Sequence, residues 1–136
     1  MNLLKRLKID EGERLKPYMD SVRKMSIGVG RNLTDRGIRR DEMELMFAND
    51  VKEAKAELLK SYYWAGFLDE PRQEVLINMS FNMGLPTLSK FTRTLQAIKN
   101  GRYSDAANEM LDSKWARQVG KRAERLSKQM RTGVRQ

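Results

Sequence analysis

The sequence predicts an α+β fold that is mainly helical, with one small sheet near its start. Three observations predict it. Apolar residues recur at helical spacing through most of the chain beyond residue 41. A turn-rich stretch from Arg14 to Val29 interrupts that period early on. No internal repeat, low-complexity tract or Ser/Gly/Pro linker divides the chain, whose 136 residues suit one domain or two closely packed lobes sharing a core.

The elements follow in order. Residues 2 to 11 read as a helix, because Leu3, Leu7 and Glu11 fall at i, i+4 and i+8 with Leu4 beside them, and Gly12 stands at a stop position. Arg14 to Val29 reads as a hairpin, with Pro17, the turn pair Asp20-Ser21, and Ile27-Gly28-Val29-Gly30. Asn32 to Gly37 reads as a loop. From Asp41 to about Lys60, Met43, Phe47, Val51, Ala54 and Leu58 keep a helical period, which makes this helix a natural connector between two lobes. Ser61 to Glu70, with Tyr62, Tyr63, Trp64 and Gly66, reads as a packed connection. A further helix opens at Asp69-Glu70-Pro71, proline being tolerated in the first turn, and stops at Gly84-Leu85-Pro86. Another carries Phe91, Leu95 and Ile98 to Asn100-Gly101, and Ser104 and Ser113 offer N-caps for two more.

Composition narrows the chemistry. There is no cysteine, so disulfides and thiolate metal sites are excluded. There is no histidine, so imidazole bases, histidine triads and histidine zinc sites are excluded as well. Acid–base work near neutrality falls to carboxylates, lysine or tyrosine. The net charge of +9 favours encounter with polyanions. Eight basic residues against the single acid Glu124 lie between Lys114 and Gln136. Charges recur too soon after Met1 for a signal-peptide core, so synthesis in the cytoplasm without an export signal is expected.

Glu11 stands out on physical grounds. It occupies the apolar stripe of its helix, where a leucine would be expected, and it lies in the last turn. Partial burial and the negative end of the helix dipole both disfavour its charged form. Such an acid suits protonation of a glycosidic oxygen. Asp20, nine positions on at a tight turn, can stay solvated and ionised. Two carboxylates in unlike environments are the minimum equipment for glycoside hydrolysis.

The residues around this pair carry a resemblance. Asp10-Glu11-Gly12-Glu13-Arg14-Leu15-Lys16-Pro17-Tyr18-Met19-Asp20, followed by Ser26-Ile27-Gly28-Val29-Gly30, resembles the T-even phage lysozyme family, glycoside hydrolase family 24. Later segments agree in order: Phe47 to Val51, Ile77 to Gly84, Ser113-Lys114-Trp115, and Arg122 through Arg131-Thr132-Gly133. The resemblance implies a two-lobed lysozyme-like fold, with a small N-terminal β-hairpin lobe and a larger all-helical lobe joined by a long helix. The whole chain, 1–136, would form one such domain. Residues from about 12 to 60 would supply the small lobe and connecting helix, and residues 1–11 and 61–136 the helical lobe. It implies a muramidase that cleaves the β-1,4 bond between N-acetylmuramic acid and N-acetylglucosamine in peptidoglycan, with inversion, as a monomer and without metal or cofactor.

By the same resemblance Glu11 is the general acid, Asp20 the second carboxylate, and Ser26 the hydroxyl that positions water. Serine stands where the family usually has threonine, and lacks the methyl that fixes the rotamer. Asn32, Phe81 and Thr94 match cleft-lining positions, and Arg122 matches an arginine that could pair with Glu11. Arg31 stands where the family often has histidine, so an Arg31–Asp50 ion pair is expected at the foot of the small lobe. The loop after Leu33 is shorter than in longer members, and the carboxyl end is abbreviated. Nucleic acid is not expected as a partner, since no helix-turn-helix, RNP-like strand or zinc spacing is present. Trp115, Val119, Ala123, Leu126 and Met130 recur helically among the terminal cations, a pattern compatible with weak contact to anionic membranes or with a helix docked on the large lobe. Wall degradation from inside a host would require a separate membrane-permeabilising protein.

Overall fold

The computed structural model describes residues 1–136, which form two compact units, Met1–Met46 and Phe47–Gln136. The first opens with α1 (Leu3–Glu11). Asn2 caps this helix through Oδ1, which accepts from the Lys5 N–H at 2.9 Å, and Gly12 ends it at φ 78°. Helix α1 buries no residue, and Leu3, Leu4 and Leu7 stay exposed. The stripe predicted to enclose Glu11 is therefore not a buried face.

The predicted hairpin is present and gains a third strand. β1 (Arg14–Met19), β2 (Met25–Gly28) and β3 (Arg31–Asn32) pair antiparallel in that order. Register on β1 shifts between Arg14 and Tyr18, where Pro17 has no N–H to give the ladder and is tolerated on an edge strand. Residues 32 to 37 were expected as a loop but carry one helical turn, α2 (Leu33–Arg36). The cause is local: Asn32 Oδ1 accepts from the Asp35 N–H at 3.0 Å, and Gly37 closes the turn at φ 62°.

Helix α3 (Arg40–Ser61) matches the predicted span to within one residue at each end, and the division between units falls inside it. Only Leu58 of its apolar positions is buried. A 3₁₀ turn, Tyr63–Phe67, brings Ala65 into the core. α4 (Glu70–Met83) starts as predicted, with Asp69 accepting from the Arg72 N–H at 3.3 Å and Pro71 in the first turn. After Gly84 comes a short α5 (Leu85–Leu88), then α6 (Thr92–Lys99) and α7 (Tyr103–Leu111). Ser104 is not the cap of α7; the cap position is Arg102, without a side-chain bond, and Ser104 sits in the first turn. Ser113 does cap α8 (Lys114–Val119), accepting from the Ala116 N–H at 3.0 Å. Gly120 then breaks the path at φ 57°, and α9 (Lys121–Thr132) follows.

The helical unit is built around Leu58, Leu76, Met79, Leu88, Ile98, Met110 and Met130, all fully buried. Each such side chain removed from water contributes on the order of 1.5–3 kcal/mol. Trp115, Ala123, Leu126 and Met130 belong to this core, and Val119 packs against it. The apolar stripe of the terminal segment thus faces the protein interior, while Lys121, Arg125 and Lys128 are exposed. Arg72 ties the ends of α4 and α9 together. Its guanidinium donates to Met130 O at 2.7 Å and Arg131 O at 3.0 Å and lies 3.7 Å over the Tyr103 ring.

Candidate active site

Within the first unit, the end of α1, the β1–β2 turn and strand β2 supply the three residues predicted to carry chemistry. Glu11 is the last residue of α1, and its side chain is exposed. The expected apolar enclosure is not provided by its own helix. What lies against it is backbone: a Cβ built on Gly30 would stand 2.9 Å from Glu11 Oε2 and 3.3 Å from its Cδ. Gly30 also has φ 69°, a left-handed conformation that side chains resist. Glycine at this position satisfies both demands at once.

Asp20 directly follows the first strand and organises the turn. Its Oδ1 accepts from the Val22 N–H at 3.0 Å and the Lys24 N–H at 2.8 Å, while its own N–H donates to Lys24 O at 2.8 Å. The side chain thereby replaces backbone partners that a tight turn cannot supply. One carboxylate oxygen is held by these bonds and the other accepts no hydrogen bond within the protein.

Ser26 lies in the middle strand, opposite Tyr18 on one side and Asn32 on the other. Directly paired residues project from the same face, so these three side chains share a surface. Ser26 is 4% exposed as a residue, yet its Oγ is not itself shut off from solvent, since every side-chain oxygen that is has a hydrogen-bond partner. With no protein partner of its own, its Oγ remains open to a water molecule.

The other predicted residues are distributed differently. Asn32 uses its side chain locally, capping α2 and donating from Nδ2 to Asp35 Oδ2 at 3.0 Å. Arg31 is paired, but with Glu42 at 2.8 Å rather than with Asp50. The reason is reach: Glu42 lies in the first turn of α3, beside the end of β3, and its Oε1 also accepts the Arg39 N–H at 2.8 Å. The Arg31 guanidinium, followed by the Arg39 N–H bond, holds the Glu42 carboxyl down at about 2.

In the second unit, Phe81 is 44% exposed, meets Phe47 edge-on at 5.9 Å, and lines a cavity of about 280 Å³ with Asp50, Glu53 and Glu57. Thr94 is 2% exposed and lines a separate cavity of about 470 Å³ with Phe91, Trp115 and Gln118. Phe81 and Thr94 therefore do not share one pocket. Arg122 binds Asn78, donating to Oδ1 from Nε at 3.0 Å and from Nη2 at 2.7 Å. Trp115 Nε1 donates to Asn82 Oδ1 at 2.8 Å, which fixes the indole at the wall of its cavity.

Sequence reasoning missed Glu42. Its signal was faint, because a glutamate three residues into a helix announces a capping box only when Ser, Thr, Asp or Asn stands at the cap, and Arg39 stands there. Gly30 was visible as part of Ile27-Gly28-Val29-Gly30, but its contact with Glu11 joins residues nineteen positions apart.

The chain matches the family model for phage lysozyme over residues 8–132. It is similar to a probable T4-type lysozyme 2 of Dictyostelium discoideum, 29% identical over 94% of this chain and 92% of the relative. A probable T4-type lysozyme 1 of the same organism is 28% identical over the same shares. The pre-baseplate central spike protein Gp5 of Enterobacteria phage T4 is 26% identical over 98% of this chain, which spans 28% of that protein. The alignment to the first relative runs over 159 positions against a chain of 136 residues, so the relative carries segments that this chain lacks.

Proposed function

The chain belongs to the phage lysozyme family and is a glycosidase of lysozyme type, and from that premise we propose that it cleaves the β-1,4 bond between N-acetylmuramic acid and N-acetylglucosamine with Glu11 as general acid. In this reading the Glu11 carboxyl protonates the leaving glycosidic oxygen. Asp20 offers its unengaged oxygen to the positive charge that develops on the sugar ring. Ser26 Oγ positions the attacking water on the opposite face; the water gives its proton to the unengaged Asp20 oxygen as it attacks, and the anomeric centre is inverted.

One observation carries the assignment. The exposed Glu11 carboxyl is seated against the Gly30 backbone, in the same compact unit as Asp20, whose other oxygen is tied into its turn. A carboxyl with a glycine backbone close on one side is exposed on the other and still reaches a substrate. The proposed setting is the bacterial wall, reached from the host cytoplasm after a separate protein permeabilises the membrane, with the enzyme acting as a monomer to lyse the cell.

The test is turbidity loss of a purified peptidoglycan suspension with wild type and Glu11→Gln side by side. An amide cannot donate the proton, so the rate should fall by at least about 10²–10⁴-fold, the usual worth of general acid catalysis. Since α1 buries nothing, the melting temperature should barely move. Retention of most of the wild-type rate refutes the assignment.

A further inference from the structure

We propose that Arg31 and Glu42 are positioning residues for Glu11: their ion pair ties strand β3 to the start of α3 and so holds the Gly30 backbone against the Glu11 carboxyl. The proposal rests on the reading of Glu11 as the general acid.

The geometry that requires such a device is the shortness of β3. It has two residues, with only Ser26–Asn32 and Ile27–Arg31 pairings to locate it, and Gly30 just before it has no side chain to anchor. A two-residue strand at a sheet edge frays readily. Arg31 is the next residue after Gly30, and the planar peptide between them carries any movement of one to the other. Its Nη1 donates to Glu42 Oε1 at 2.8 Å and reaches toward Gly37 O at 3.4 Å. The same Glu42 oxygen accepts the Arg39 N–H at 2.8 Å, so one atom serves both the strand and the helix start. Both side chains are partly buried, at 21% and 31% exposure, which shields the pair from the screening that weakens surface ion pairs. The neighbouring charges are otherwise engaged: Arg39 pairs with Asp41 at 3.2 Å, and Lys24 with Asp35 at 3.2 Å. At the far end of this chain of contacts stands Glu11 Oε2, 2.9 Å from the place a Gly30 Cβ would take. Releasing Arg31 frees Gly30, and the carboxyl loses the wall that defines it.

The experiment measures kcat and KM of Arg31→Gln, Glu42→Gln and the double variant on a soluble N-acetylglucosamine–N-acetylmuramic acid oligosaccharide, well below each melting midpoint. Each single variant should lose about tenfold in kcat with KM within about twofold, as expected for a misplaced reacting group. The double variant should be no slower than either single, because both remove one clamp. If Arg31→Gln does not fold, Arg31→Lys carries the comparison, since a lysine keeps the charge but lacks the planar guanidinium that places Nη1 between Glu42 and Gly37 O. A second readout is the Glu11 carboxyl ¹³C resonance at neutral pH, which should move in both variants. Unchanged kcat, additive losses, or an unmoved Glu11 resonance each overturn the proposal, since a purely structural pair would lower the melting point alone. Should the wild type cleave no glycan, the general-acid reading falls by itself, and the resonance still decides whether the clamp holds Glu11.

Discussion

Replacing Gly30 by alanine perturbs the site at one atom, and the structure sets the size of the effect. At φ 69° the backbone is left-handed, which costs an L-residue roughly 1–2 kcal/mol and lowers the melting temperature by several degrees. The added Cβ would lie 2.9 Å from Glu11 Oε2, where ordinary contact begins at 3.4 Å. The carboxyl must retreat by about half an ångström. A displacement of 1 Å can cost about 10²-fold in rate, so a loss of about tenfold in kcat is expected, with KM nearly unchanged. Gly28→Ala is the matched control: its φ is 70°, and nothing lies within 4 Å of its added Cβ. It should show the same loss of stability and little loss of rate. Kinetics on a soluble glycan, with thermal unfolding by circular dichroism, separate the two effects. If Gly30→Ala and Gly28→Ala lose rate equally, backbone strain and not the Glu11 contact is responsible, and the seating argument fails.

Ser26→Ala should lower kcat more than it raises KM, because a hydroxyl open to water acts in the transition state; a raised KM with unchanged kcat would make it a binding residue instead. The Arg31–Glu42 pair should make stability pH-dependent. The folded Glu42 carboxyl sits at about 2, below its ordinary 4.5, so its contribution is present above about 4.5 and disappears as pH falls toward about 2. Urea midpoints of wild type and Glu42→Gln should therefore differ most at pH 6 and draw steadily together as pH falls from about 4.5 toward about 2; a constant gap would mean that the charge of Glu42 is not what matters. Arg72→Ala should destabilise the helical unit by about 1–3 kcal/mol, since it leaves two α9 carbonyls without their charged donor and uncovers Tyr103. Arg72→Lys should recover little of this, and full recovery in urea denaturation would show that charge alone suffices.

Much of this protein was legible in order along the chain. The helical period from 41 to 60, the proline-led start near Asp69, the Ser113 cap and the turn at Asp20 are local matters, decided by residues within a few positions of one another. The predicted acid and its companion carboxylate sit in one compact unit for the same reason: fewer than ten residues separate them. Tertiary structure decided what depends on distance through space. A leucine stripe predicts a buried face only when something packs upon it, and α1 buries none of its residues. Spacing cannot tell which carboxylate an arginine meets, so Arg31 found Glu42, close by at the start of α3, rather than Asp50 further along it. The terminal stripe of Trp115, Ala123, Leu126 and Met130 has one pattern whether it meets lipid or protein, and packing placed it in the core. The contact between Gly30 and Glu11 joins a helix end to a strand turn, and periodicity within either element carries no information about the other.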